Sequence, residues 1–408
     1  MLIRKPSDIP SSEITSKSDY MNRRQFMAGA AAVGASALGA ERLLSVQALR
    51  AVAALLVVWA HSIDAAEYFA TPRQSHFFYW GNFGASGMDI FFVISGFIVS
   101  LVAARAATQR RSQPRHTARH FLRRRITRIF PLYWILTLAV ILEGELGRNK
   151  IHWHSVPWLP TILLLPSFHP FIAQPLLWLG WSLVFELYFY LVLTAFLAWT
   201  PRLVIRNTAV FLCVMVAVGA LVGIHRPLLI LWMNPMILEF VFGCMVGMLF
   251  ARRADSMTKA GRWIAAIGAL LLAATIFIGY GQASEAKYIL AGQDCWLRVT
   301  VWGVPSALLV GGAIFWNPAL RSLPARLLVF LGDASYSIYL CTIPARSVVE
   351  HYWRIFGRFG ADTDVFLGAM FCTLVGLLCY LLIERPLMRF FHNWNKPLPF
   401  RTAQMTES

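Results

Sequence analysis

Between residues 46 and 383 the chain is apolar for close to twenty residues at a time, again and again, with short polar stretches between. A bilayer core about 30 Å thick takes about 20 helical residues to cross. Uninterrupted runs of this length are read as membrane-spanning helices. The expected fold is therefore an all-α integral membrane protein, with spans near 46–66, 83–104, 129–147, 176–199, 208–224, 228–250, 263–281, 296–316, 327–344 and 364–383, about ten transmembrane helices. Segment 158–172 is apolar but short and holds Pro160, Pro166 and Pro170, just after Pro157, so it is expected to be a lumenal interfacial or re-entrant piece. Composition agrees: 58% of residues are hydrophobic and only 14% charged, against roughly 25% in soluble chains. A secreted, coiled-coil or disordered chain is excluded.

A formal charge of +17 would suggest nucleic acid in a soluble protein, yet the excess falls in short loops between apolar runs and reads as topology. Twenty-one of the 37 Lys and Arg lie in loops 105–128, 200–207, 251–262 and 317–326 and in the tail, whereas the alternate loops hold nine. By the positive-inside rule both termini are cytoplasmic. Cys213, Cys244, Cys295, Cys341, Cys372 and Cys379 show neither metal-ligand spacing nor an extracellular disulfide pattern. No metal and no bound cofactor is expected.

Residues 1–44 read as a separate basic leader. Asn22-Arg23-Arg24-Gln25-Phe26-Met27 and the small residues Ala28 to Ala40 resemble a twin-arginine export signal, and the stretch from Ile3 to Phe26 resembles the leader of methionine-sulfoxide reductase catalytic subunits. A folded cargo should follow such a signal, but a membrane span follows at once. A gene-model fusion or a disordered basic arm is expected, followed by a transmembrane domain over 45–390 and a cytoplasmic tail over 391–408.

His61 lies midway along the first span, where a titratable group is costly and points to function. Arg50 precedes it by eleven residues, about three helical turns and a rise of about 16 Å, so both share one helix face. A neutral imidazole at that depth is suited to take a proton from an attacking hydroxyl. Asp89, Ser95 and Gly96 open the second span, the small pair allowing a close helix approach. Arg123-Arg124-Arg125-Ile126-Thr127-Arg128 offers guanidiniums at the cytoplasmic face to anionic lipid or to the phosphates of a nucleotide-like donor. Trp181-Ser182-Leu183-Val184-Phe185-Glu186 sets a carboxylate inside the fourth span, with His61 or an Arg as its natural partner. Asp333 and Tyr336, in the string Gly332 to Leu340, and Glu384-Arg385-Pro386 add polar sites near span ends.

In order and spacing these residues resemble the acyltransferase 3 family of bacterial membrane acyltransferases, above all its exopolysaccharide O-acetyltransferases, over roughly residues 45–390. The resemblance implies a multi-pass protein of the bacterial inner membrane that passes an acyl group from cytoplasmic acyl-CoA to a polysaccharide or lipid-linked sugar on the far side. It assigns catalysis to Arg50 and His61, with His61 as base, and donor handling to Arg125 and Arg128, with Arg124 beside them. Where many members carry a His after the Tyr-Leu of the ninth span, this chain has Cys341-Thr342. Glu186 and Asp64 are alternative residues for orienting the imidazole. A transporter competes, since buried polar groups in a bundle also line substrate paths; a secreted redox enzyme rests on the leader alone.

Overall fold

A computed structural model describes residues 37–69, 76–77, 82–109, 113–146, 156–165, 175–222, 227–253, 257–280, 288–289, 292–318, 320–352 and 360–394. The twin-arginine-like leader up to residue 36 lies outside them. The regular structure among the described residues is all helical. Nine helical spans are long and apolar enough to cross a membrane among the described residues, and a tenth is formed if one bent pair counts as a single crossing.

Helix α1, Ala37–Phe69, is unbroken for 33 residues and forms the axis of the bundle. Small side chains make this possible: Ala51, Ala53 and Ala54 are fully buried, so neighbours pack against the helix from several sides. Those neighbours are α2 (Ser86–Gln109) and four helices from the C-terminal half. Helix α3, Pro114–Leu146, is longer than the expected third span. The basic stretch from Pro114 to Arg128, expected as loop, continues the span as helix, so Arg125 and Arg128 share one helical face. Hydropathy windows conceal this extension because its residues are good helix formers but polar.

The short α4, Trp158–Leu163, is all that is described of the expected interfacial piece beyond its flanking residues. Helix α5 is Trp181–Trp199, α6 is Val204–Val222 and α7 is Pro227–Trp232. Helix α8, Leu238–Arg253, packs along α2. The approach is close enough that a Cβ on Gly96 would strike the Phe240 carbonyl, and one on Gly243 the Val93 carbonyl. Helix α9 spans Thr258–Phe277. Helix α10, Cys295–Arg298, continues through a π-turn, Val299–Gly303, into α11, Val304–Trp316. Large apolar side chains on α6 and α9, such as Val214, Leu221, Ile267 and Leu270, are exposed, as a lipid-facing rim requires.

The expected ninth span, 327–344, is not one straight helix. Helix α12, Leu323–Asp333, and α13, Ser335–His351, meet at Ala334 with a bend of 71°. Packing explains the break: Gly332 sits on the Gln47 carbonyl of α1 with no room for a Cβ, while Gln47 Nε2 donates to Asp333 Oδ1 at 2.8 Å. Two contacts lock the end of α12 to α1, and the chain turns there. Helix α14, Ala361–Cys379, passes through a second π-turn, Tyr380–Glu384, into α15, Arg385–Trp394.

Candidate active site

Two compartments open along α1. The larger holds about 840 Å³ of empty space, part of it open to the outside, and brings together Arg50, Ser95, Arg125, Arg128, Glu186 and Tyr336 with several apolar residues. The smaller lies farther along α1, against His61, Ser62 and Arg346.

Polar contacts order the larger compartment. Arg50 donates to Gln47 Oε1 at 3.2 Å, and the same Gln47 is fixed by Asp333, so the guanidinium is steered from the broken end of α12. Glu186 accepts from Ser95 Oγ at 2.8 Å and from the Tyr190 hydroxyl, one turn further along α5. Arg128 pairs with Glu384 and lies over the Tyr336 ring at 5.2 Å. Glu384 also accepts from Ser337, so the π-turn delivers a buried carboxylate to Arg128, midway along α3. Arg125 lies over the Phe121 and Tyr190 rings at 5.3 and 5.7 Å, and its Nε has no hydrogen-bond partner. Ser182 meets the Tyr339 hydroxyl at 2.8 Å. Trp181 makes edge contacts with the Phe92 and Phe185 rings.

The smaller compartment holds the imidazole. His61 Nδ1 lies 2.9 Å from Asp64 Oδ2, one turn along α1, and the ring meets Trp178 edge-on at 5.1 Å between centroids. A carboxylate on Nδ1 leaves Nε2 as the nitrogen free to act as base. Asp64 Oδ2 is also 3.6 Å from Arg346 Nη1.

The candidate residues therefore divide. Arg50, Ser95, Arg125, Arg128, Ser182, Glu186 and Tyr336 line one cavity, and His61, whose Nδ1 meets Asp64, lines the other. Of the two residues considered for orienting the imidazole, Asp64 makes the contact, and the polar partners of Glu186 are Ser95 and Tyr190. Arg124 is exposed on α3 and Arg385 begins α15; neither lines the cavity. Asp89 lies apart, fully buried, in a two-pronged pair with Arg298: Nε to Oδ1 at 3.1 Å and Nη2 to Oδ2 at 2.8 Å. Sequence reading missed this partner, and missed Glu239, which is equally buried near the pair. A lone Glu inside an apolar run was the available signal. Gln47, Arg346 and Trp178 were also missed, since each takes its meaning from a neighbour distant in sequence. Cys341 is buried and lines neither compartment.

A family profile described as an acyltransferase domain matches residues 43–385. The exopolysaccharide production protein ExoZ of Rhizobium meliloti (strain 1021) is 30% identical over 335 residues, 79% of this chain and 94% of that protein. The acyltransferase MdmB of Streptomyces mycarofaciens is 26% identical over 391 residues, 85% of this chain and 92% of its own. The O-acetyltransferase OatA of Staphylococcus aureus (strain NCTC 8325 / PS 47) is 25% identical over 340 residues, 76% of this chain but only 53% of that longer protein. No solved structure matches.

Proposed function

This chain belongs to the acyltransferase 3 family and is an acyltransferase; from that premise we propose that it moves an acyl group, acetyl in the first instance, from cytoplasmic acyl-CoA to a hydroxyl of a cell-surface polysaccharide or lipid-linked sugar. The bundle lies in the bacterial inner membrane with both termini in the cytoplasm, as the Lys and Arg distribution predicts. Residues 45–390 form the catalytic domain. A transporter reading loses its ground once the family is an enzyme family.

The observation that carries the proposal is the placement of Arg50 and His61 on one unbroken helix, each facing a different compartment. Arg50 and Arg125 receive the phosphates of the donor from the cytoplasmic side, where guanidinium forks match phosphate oxygens. Arg128 holds the same wall through Glu384. The acyl-pantetheine arm bridges the rise of about 16 Å between the two residues. At the far end His61 Nε2 takes the proton of the acceptor hydroxyl as its oxygen attacks the thioester carbonyl. The C–S bond breaks, the thiolate takes that proton from the imidazolium, and CoA leaves by the route it entered. Asp64 holds the imidazole through Nδ1 and stabilises its charged form.

The test is acetyl transfer from labelled acetyl-CoA in inside-out membrane vesicles. His61→Ala loses turnover by about a hundredfold or more while its membrane level stays normal. Full activity in a well-inserted variant would sink the assignment.

A further inference from the structure

We propose that Arg346 is a positioning residue of the acyl-transfer site: held by Glu350, it pins the Asp64 carboxylate that orients His61. The inference rests on the reading of His61 as base. Arg346 Nη1 approaches Asp64 Oδ2 at 3.6 Å, and that oxygen also meets His61 Nδ1 at 2.9 Å. One carboxylate oxygen is thus shared between the imidazole of α1 and a guanidinium of α13. On the other side Arg346 Nε donates to Glu350 Oε1 at 2.5 Å, one turn along α13.

Without this tie, His61 and Asp64 would be three residues apart on one helix, a contact that holds only as long as the short Asp side chain keeps its rotamer. A second helix fixes that rotamer. His61, Arg346, Glu350 and Asp64 are 15%, 19%, 28% and 34% exposed, so the network is part-buried and solvent screens it less than it would a fully exposed pair. The register of α13 is consistent with this role. Tyr339, which lines the larger cavity, and Arg346, which lines the smaller, are seven residues apart, close to two full turns on one face. Helix α13 therefore runs beside both compartments, as α1 does. The guanidinium already faces two carboxylates, so an acidic group on the acceptor would have to displace one of them; this favours positioning over substrate capture.

Among the described residues the charged and titratable groups around His61 are few. Asp64 comes from α1, Arg346 and, behind it, Glu350 from α13, and Cys372 from α14; Trp178, ahead of α5, brings no charge. Glu143 of α3 interacts with Ser347, Glu350 and His351. Arg346 is the one cation of this group among the described residues, and removing it makes protonation of the imidazole easier.

The experiment follows thiol release from acetyl-CoA by the full chain in inside-out vesicles, across pH and donor concentration. Arg346→Gln is expected to lower kcat by about ten- to a hundredfold with the KM for acetyl-CoA unchanged. The acid limb of its rate–pH profile moves to higher pH, and Arg346→Lys restores part of the rate. In an Asp64→Asn background the same change adds no further loss. If Arg346→Gln fails to insert, Glu350→Gln carries the test. It keeps the cation but loosens it, so rate falls with no upward move of the acid limb. Wild-type rate in Arg346→Gln, an unmoved acid limb, or losses that multiply with those of Asp64→Asn would overturn the proposal. Activity in His61→Ala would instead remove the His61 reading itself, so the two failures are distinguishable.

Discussion

Arg125 and Arg128 sit on one face of α3, yet they do different work. Arg128 is engaged with the 1% exposed Glu384, whereas Arg125 lies between two aromatic rings with its Nε lacking a partner. The expected outcome of Arg125→Lys is therefore a raised KM for acetyl-CoA with normal insertion, because charge survives and the phosphate fork does not. Arg128→Met is expected to lower stability by about 3 kcal/mol, since it leaves a buried carboxylate unpaired; thermal unfolding in detergent measures it. The sequence made both arginines candidates by their spacing but could not separate them, because Glu384 reaches Arg128 from the other end of the chain. His61 and Arg50 were legible for a better reason: their relation is the periodicity of a single helix. Asp64 was weighed equally with Glu186, and only packing shows that the Glu186 carboxylate is taken by Ser95 and Tyr190.

Among the elements, the pair α2 and α8 depends on two glycines meeting backbone across the interface. Gly96→Ala is expected to push these helices apart and cost about 1–3 kcal/mol, a loss read from unfolding in detergent. Ser95 adjoins Gly96, so the same change should also loosen its bond to Glu186 and lower turnover more than an equally destabilising change on the lipid-facing side of α6. Apolar run length predicted nearly every span, because the bilayer sets that length. It could not predict the break at Ala334, which comes from Gly332 and Asp333 docking on α1. Nor could it predict the helical course of residues 114–128, whose polarity disguises a helix that begins before the hydrocarbon core.

For the molecule as a whole, alternation of basic loops makes a plain statement about sidedness. A reporter fused to the carboxyl end, or inserted at 254–256, is expected to show the cytoplasmic state, and one inserted at 281–287 the opposite state. A reversed pattern would place His61 on the donor side and undo the division of labour between the compartments. Deleting residues 1–36 is expected to preserve insertion and acetyl transfer, since the charge bias lies in the loops from Arg105 onward. The division of labour also bears on how the two substrates sense each other. Helix α1 carries Arg50 and His61 on one rod without a joint. A ligand that tilts or rotates this rod at one end shifts the other, and thermodynamic linkage then makes the effect mutual. On the proposed reading, in which donor and acceptor enter from opposite sides of the membrane, whatever factor an acceptor sugar contributes to donor affinity the donor must return to acceptor affinity.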